Sequence, residues 1–237
     1  MEPASVDDRP TTAITAAQVE FFRTFGFVKL PGFFAGEVER IDRGFEEVFA
    51  TSTTSMSLDA ENSYHRARVE EYEHDLRHII PGFIDQSDDL RWIRDDPRVL
   101  SLVHALIGPD IDYAESDGNL FNCDVYWHMD AYGADITARE YLKLYVYLDP
   151  LTAETGALRV IPGSEDLTSR YAQRVNGHLL DPATVEERLG VPLDEVPHWA
   201  LEVEPGDLIA GNFRTLHASF GGRPRRRLFT VNFAQAA

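Results

Sequence analysis

From Ile111 onward the chain is built of short alternating runs closed by turn residues, and this pattern limits the folds open to it. The clearest run is Tyr141–Leu148. It sets Tyr141, Lys143, Tyr145 and Tyr147 on one face and Leu142, Leu144, Val146 and Leu148 on the other, and Asp149-Pro150 ends it. Leu120–His128 also alternates, with Phe121, Cys123, Val125 and Trp127 opposite Asn122, Asp124, Tyr126 and His128. Further strands are expected at Gly156–Ile161 before the turn Pro162-Gly163-Ser164, at Leu208–Phe213 after Pro205-Gly206-Asp207, and at Leu228–Phe233. Residues 165–198 form a long excursion with a helix near Val185–Leu189.

The chain before Ile111 has a helical period. Thr15-x-x-Gln18 is a capping box, with Ile14 and Val19 as its hydrophobic staple. The helix it opens turns Val19, Phe22 and Phe25 inward and stops at Gly26. Phe27–Leu30 reads as a strand. A second helix carries Val38, Ile41, Phe45, Val48 and Phe49 on one face. Asp96-Pro97 opens a third, with Val99, Leu100, Val103, Leu106 and Ile107 inward, His104 structural and Gly108 at its end. Residues 1–12 read as a tail. Residues 51–78 are polar and aperiodic, which fits an active-site lid or disorder; His65, His74 and His78, in or beside them, read as solvated surface. Helices followed by many short strands predict an α+β, mainly β fold: a helical layer on a β-sandwich or barrel, with 1–237 as a single domain.

The net charge is −18, which argues against nucleic acid and anionic membranes as partners. It also disfavours acyl-CoA as substrate and favours a neutral or cationic small molecule. No apolar run is long enough to span a bilayer, and Met1–Ala13 reads as neither signal nor transit peptide. Cys123 is the only cysteine, so an internal disulfide is impossible and a reducing, cytoplasmic setting is expected.

The chemistry gathers at two places. His128-Met129-Asp130 closes one apolar run, and Leu216-His217-Ala218-Ser219 follows another. Two imidazoles and one carboxylate form the ligand set of non-haem Fe(II) oxygenases, which leaves coordination positions open for cosubstrate and O2. A His-x-Asp alone is more often a surface turn; the distal histidine and the arginines that follow give it meaning. A dicarboxylate cosubstrate needs a cation and a hydroxyl in a dry pocket, and arginine pairs with carboxylate through two parallel bonds. Of Arg223, Arg225, Arg226 and Arg227, only Arg226 shares a face with Leu228, Thr230 and Asn232, so Arg226 and Ser219 are the candidates.

With these motifs in place, the sequence from about Thr15 onward resembles the phytanoyl-CoA dioxygenase family of Fe(II)/2-oxoglutarate oxygenases. Phe22–Phe34 looks like the family's helix, Gly-Phe-Val strand and Pro-Gly-Phe-Phe turn. Trp127–Asp130, Leu148-Asp149 with Thr155–Ser164, and Pro205-Gly206-Asp207 with His217–Ser219 and Arg226 match its remaining motifs. The resemblance implies a double-stranded β-helix, a jelly-roll or cupin-like core with flanking N-terminal helices. It implies His128, Asp130 and His217 as catalytic iron ligands, and Arg226, Ser219 and the weaker candidate Lys143 on 2-oxoglutarate. It implies hydroxylation of an unactivated carbon in secondary metabolism, with succinate and CO2 as coproducts. The presence of Asp130 points to a hydroxylase rather than a halogenase. Substrate-facing candidates are Asn122, Asp124, Tyr126, Tyr132 and Tyr145, although ordinary packing suits each tyrosine equally well. The rival outcomes are desaturation, epimerisation or cyclisation at the same site, a catalytically silent binding protein, and an oxygen-independent Zn or Mn isomerase-like barrel.

Overall fold

The computed structural model describes residues 14–58, 65–67, 75–130, 139–165, 195, 197–222 and 224–236. Thr15 Oγ1 accepts from the Gln18 N–H at 3.2 Å and the Thr15 N–H donates to Gln18 Oε1 at 2.9 Å, so the capping box forms. It opens α1 (Ala16–Phe25), which ends on Gly26 at φ 78, the left-handed geometry glycine adopts without strain. Phe22 is buried as expected, but Phe25 is 36% exposed. Phe21 takes the inner position instead, its ring 5.4 Å from Phe27, and Phe25 rests on its outer side.

The chain continues through β1 (Phe27–Leu30), α2 (Val38–Thr51), β2 (Met56–Leu58), β3 (His65–Ala67), β4 (Arg77–Pro81), α3 (Asp88–Arg91) and α4 (Pro97–Ile107). The strands β5 (Ile111–Phe121), β6 (Cys123–His128), β7 (Tyr141–Tyr147) and β8 (Leu158–Val160) follow. β9 (Trp199–Leu201), β10 (Leu208–Asn212), β11 (His217–Ser219) and β12 (Arg226–Gln235) complete it. They form a seven-stranded sheet, β1-β10-β7-β12-β5-β4-β2, and a five-stranded sheet, β3-β6-β11-β8-β9. Neighbouring strands pair antiparallel throughout.

The large sheet has two different faces. Leu142, Leu144 and Val146 of β7 and Phe229, Val231 and Phe233 of β12 pack outward against Ile41, Phe45 and Val48 of α2 and Val99, Val103 and Leu106 of α4. On α4 Leu102 is buried while Leu100 is half-buried, which broadens the expected apolar stripe by one position. Arg227 ties the helical layer down, with its guanidinium 2.8 Å from Asp42 and Glu46 of α2 and 2.9 Å from Asp149. The opposite face of this sheet points at the small sheet and carries the polar half of each alternating run.

The polar stretch 51–78, expected as a lid or as disorder, holds strands in its described parts. β2 pairs with β4, and β3 with β6. Edge strands are held by backbone hydrogen bonds, so they need no apolar periodicity. Residues 59–64 and 68–74 lie outside the described residues, as do the expected tail, the helix near Val185–Leu189, His74, Tyr132 and Arg223. His104 is exposed on α4, and His78 pairs with Asp75 at 2.6 Å. Among the described residues no helix is long and apolar enough to cross a membrane.

Asp207 fixes the turn before β10 to the end of β1. It accepts from the Gly32 N–H at 2.8 Å and the Glu204 N–H at 3.1 Å, and lies 2.9 Å from Lys29 Nζ. Burial alone would raise its carboxyl, but the Gly32 N–H, the Lys29 ammonium and the Glu204 N–H outweigh burial and hold it below the usual 3.8. A carboxyl depressed in the folded state adds stability above its unfolded value and loses it as pH falls through the folded one. Asp207→Asn is therefore expected to cost roughly 1–3 kcal/mol at pH 7. The gap to wild type should close as denaturation is repeated at acid pH below about 4.

Candidate functional site

On the inner face of the large sheet, three neighbouring strands set their side chains in rows. β12 contributes Arg226, Leu228, Thr230 and Asn232, whose β5 partners are Phe121, Asn119, Asp117 and Glu115. On its other side β7 places Tyr147 beside Leu228, Tyr145 beside Thr230, and Lys143 beside Asn232. All of these line a cavity of about 310 Å³, and Val125, His128, Leu158, His217, Ala218 and Ser219 close it from the small sheet.

β11 pairs with β6 so that His217 faces His128 and Ser219 faces Val125. Three residues of β6 thus span two of β11, a bulge that breaks the two-residue alternation. Val125 and His128 therefore both reach the cavity, and the face expected to join Asn122, Asp124 and His128 does not exist as one surface. Asn122 instead donates to the Asp75 carbonyl at 2.8 Å and accepts from the Arg225 N–H at 2.9 Å. Asp124 accepts from the Gly221 N–H at 3.1 Å. Both serve loop structure outside the cavity lining. Tyr132 and the side chain of Tyr126 lie outside the described residues.

Just beyond β6, the Asp130 N–H donates to the Phe213 carbonyl at 2.9 Å, which ties this point of the chain to the segment between β10 and β11. His128, Asp130 and His217 are all buried, and each offers a ligand atom within 4.8 Å of the other two. An ion with bonds of roughly 2.0–2.2 Å can gather such a set with small side-chain shifts, so these residues fit a facially bound metal. His217 Nδ1 lies 3.0 Å from the Thr215 carbonyl. That contact needs a proton on Nδ1 and so leaves the Nε2 lone pair, 3.5 Å from Asp130 Oδ2, facing the trio.

Charge is matched locally. Burial alone would raise the Asp130 carboxyl, but Lys143 Nζ at 3.0 Å, with the two imidazoles, holds it well below the usual carboxylate range. Burial lowers His217 despite the nearby Asp130, which keeps it neutral and able to bind metal. The Tyr145 hydroxyl donates to Asp130 Oδ2 at 3.2 Å, and burial together with that carboxylate raises its phenol.

The arginine run separates cleanly. Arg225 sits at φ 59 in the turn, which sets the phase of β12, so Arg226 points inward and Arg227 outward to α2. Arg226 donates to the Gly156 carbonyl at 3.0 Å and also to Ser219 Oγ and the Cys123 carbonyl. Ser219 donates to the Gly156 carbonyl at 2.8 Å. Arg77, Glu115, Asp117 and Asn119 also line the cavity and were missed in the sequence. The signal was present: Glu115, Asp117, Asn119 and Phe121 recur every second residue.

The sequence profile of the phytanoyl-CoA dioxygenase family matches residues 22–227. The chain belongs to that family. As a member it is an Fe(II)- and 2-oxoglutarate-dependent oxygenase. Among curated proteins nothing matches in sequence. Solved structures do match. The epimerase SnoN from nogalamycin biosynthesis has a TM-score of 0.69 at 21% identity, over 93% of this chain and 80% of its own. The carbocyclase SnoK from the same biosynthesis gives 0.71 at 20%, over 95% and 86%. HygX from Streptomyces hygroscopicus, with nickel and 2-oxoglutarate bound, gives 0.65 at 20%, over 93% and 87%. At such identities the likeness bears on the fold, and it agrees with the two facing antiparallel sheets of this oxygenase, the jelly-roll or cupin-like core expected from the sequence.

Gly156, at φ 98, leaves Arg226 its place: a Cβ there would sit 2.5 Å from Arg226 Nη1 and 2.7 Å from Gly222 Cα. Gly156→Ala is expected to lower stability in urea denaturation by roughly 1–3 kcal/mol, because both the backbone strain and the displaced guanidinium act against the fold.

Proposed function

We propose that this oxygenase hydroxylates an unactivated carbon of a small molecule, with His128, Asp130 and His217 holding the iron and Arg226 and Ser219 holding 2-oxoglutarate. The supporting observation is that a buried two-histidine, one-carboxylate trio and a buried arginine–serine pair line the same cavity. Bound iron supplies the oxygen activation that no side chain can provide, and succinate and CO2 leave as coproducts.

The chain's own residues do the rest. Arg226, which donates to the Gly156 and Cys123 carbonyls and to Ser219 Oγ, would turn part of its planar fork to the distal carboxylate of the cosubstrate, and the Ser219 hydroxyl would redirect its proton from the Gly156 carbonyl to the same carboxylate. The Thr215 carbonyl fixes the His217 tautomer, so Nε2 is the ligand atom. Lys143 and Tyr145 hold the Asp130 carboxylate ionised and aimed. Lys143 is also close enough to the trio to meet the cosubstrate. Tyr147, Leu158 and Leu228 wall the cavity and exclude water.

The substrate is neutral or cationic rather than an acyl-CoA, a reading supported by the −18 net charge. A role in secondary metabolism is supported by SnoN, solved with Fe3+, alpha-ketoglutarate and nogalamycin RO, and by HygX, solved with hygromycin B. A reducing, cytoplasmic setting suits a chain with one buried cysteine. Residues 1–237 are read as one catalytic domain, supported by a family match over 22–227. The second reading is epimerisation or ring closure at the same site, favoured by likeness to an epimerase and a carbocyclase. Product mass separates the two, because only hydroxylation adds an oxygen.

Anaerobic titration of the protein with Fe(II) and 2-oxoglutarate is expected to develop a visible charge-transfer band, absent in His217→Ala. Arg226→Leu should weaken 2-oxoglutarate binding about thirtyfold or more, the scale for losing one partner of a buried charge pair. A wild-type protein that gives no band would overturn the ligand assignment.

A further inference from the structure

Most charged side chains around the cavity are held by close partners on the protein. Lys143 is paired with Asp130 at 3.0 Å. Arg77 donates to Asn119 Oδ1 at 2.6 Å and lies 3.6 Å from Asp117. Asp117 is further occupied by Thr230, whose hydroxyl donates to it at 2.5 Å. Arg226 faces its own pocket with Ser219, where a dicarboxylate would meet it. Glu115 is different. It is exposed, lines the cavity, and carries no ion pair among the described residues.

Glu115 and Asn232 are register partners on β5 and β12. Direct cross-strand partners on one face have Cβ atoms about 4.5–5.5 Å apart, so one small group can touch both side chains. Asn232 is 1% exposed, and its Oδ1 is buried with no hydrogen-bond partner. A buried carbonyl left without a donor costs free energy comparable to a lost hydrogen bond, so a rotation of the Asn232 amide that turns Oδ1 toward the cavity it lines would let an entering donor recover that cost. The row Glu115–Asn232 is three register steps along the same face from Phe121–Arg226, and it marks the solvent-facing end of the cavity.

We propose that this end of the cavity is a cation subsite, in which Glu115 and Asn232 Oδ1 receive a protonated primary amine carried by the substrate. The proposal rests on the oxygenase reading and adds the substrate's chemical class to it. An ammonium brings three donors and one positive charge. Glu115 supplies the counter-charge at the rim, where an amine keeps part of its hydration. Asn232 Oδ1 supplies a neutral acceptor deeper in, where a second buried carboxylate would be costly. The acidic surface of the chain raises the local concentration of such a cation.

The test uses full-length protein loaded with Ni(II) and 2-oxoglutarate, with calorimetry as the readout, so turnover is not required. The probes are matched in shape: cyclohexylamine against cyclohexanol, and glucosamine against glucose. Each amine is expected to bind roughly tenfold or more tighter than its alcohol, the scale of a charge-assisted hydrogen bond. In Glu115→Gln the preference should fall below about threefold, and in Glu115→Lys cyclohexanecarboxylate should bind better than cyclohexylamine. Equal binding within the pairs, a preference untouched by Glu115→Gln, or amines that fail to bind would overturn the proposal. 2-Oxoglutarate binding is measured first in the same cell. Its absence removes the oxygenase reading as well, whereas its presence without an amine preference removes the cation subsite alone.

Discussion

His217 and His128 face each other across β11 and β6 with ring centroids 4.2 Å apart, and the rest of the site is arranged around that antiparallel contact. A slip of one residue in either strand would send one imidazole to the opposite face of the sheet. β11 is only three residues long, so its own ladder is a weak guarantee of register. The clamps lie just before it. The Leu216 N–H donates to Ser164 Oγ at 2.8 Å, the Ile161 N–H donates to the Leu216 carbonyl at 3.0 Å, and the Thr215 hydroxyl donates to the Gly26 carbonyl at 3.1 Å. The turn Pro162-Gly163-Ser164 and the end of α1 thus reach the His128, Asp130 and His217 trio through one short segment.

The large sheet is held in the opposite sense, from outside. Its outer face is apolar and covered by α2 and α4. Its inner face is free to carry groups that an ordinary core would reject: Lys143, Asp117, Arg226 and Asn232. The desolvation of two of them is offset by close partners, Lys143 by Asp130 and Asp117 by Arg77 and Thr230. Burial of the apolar face stabilises the fold, and the polar face is carried along with it.

Much of this was legible in the sequence because alternation and capping are local. Thr15, Gln18, Asp96 and Gly26 mark their helices, and the two faces of Tyr141–Leu148 divide as expected. The inward phase of Arg226 was legible for the same reason. The non-local part was not. The bulge between β6 and β11 depends on a partner about ninety residues away, and it moved Asn122 and Asp124 out of the cavity. The strands within 51–78 have no apolar period because their edges are held by backbone bonds. Phe25 lost its inner place to Phe21, a contact that exists only once Phe27 arrives on β1.

The two sheets divide the cavity between them. His128, His217 and Ser219 come from the small sheet and Asp130 follows directly on its β6, while Glu115, Asp117, Lys143, Thr230 and Asn232 come from the large one. A substitution on β5 that suits a new molecule leaves the β6–β11 register untouched, because those strands belong to different ladders. The architecture therefore separates what must stay constant from what can vary. A lineage built on it can drift toward new chemistry by small edits to β5, with the β6–β11 pair and the Lys143, Tyr145 and Arg226 positions of β7 and β12 inherited whole.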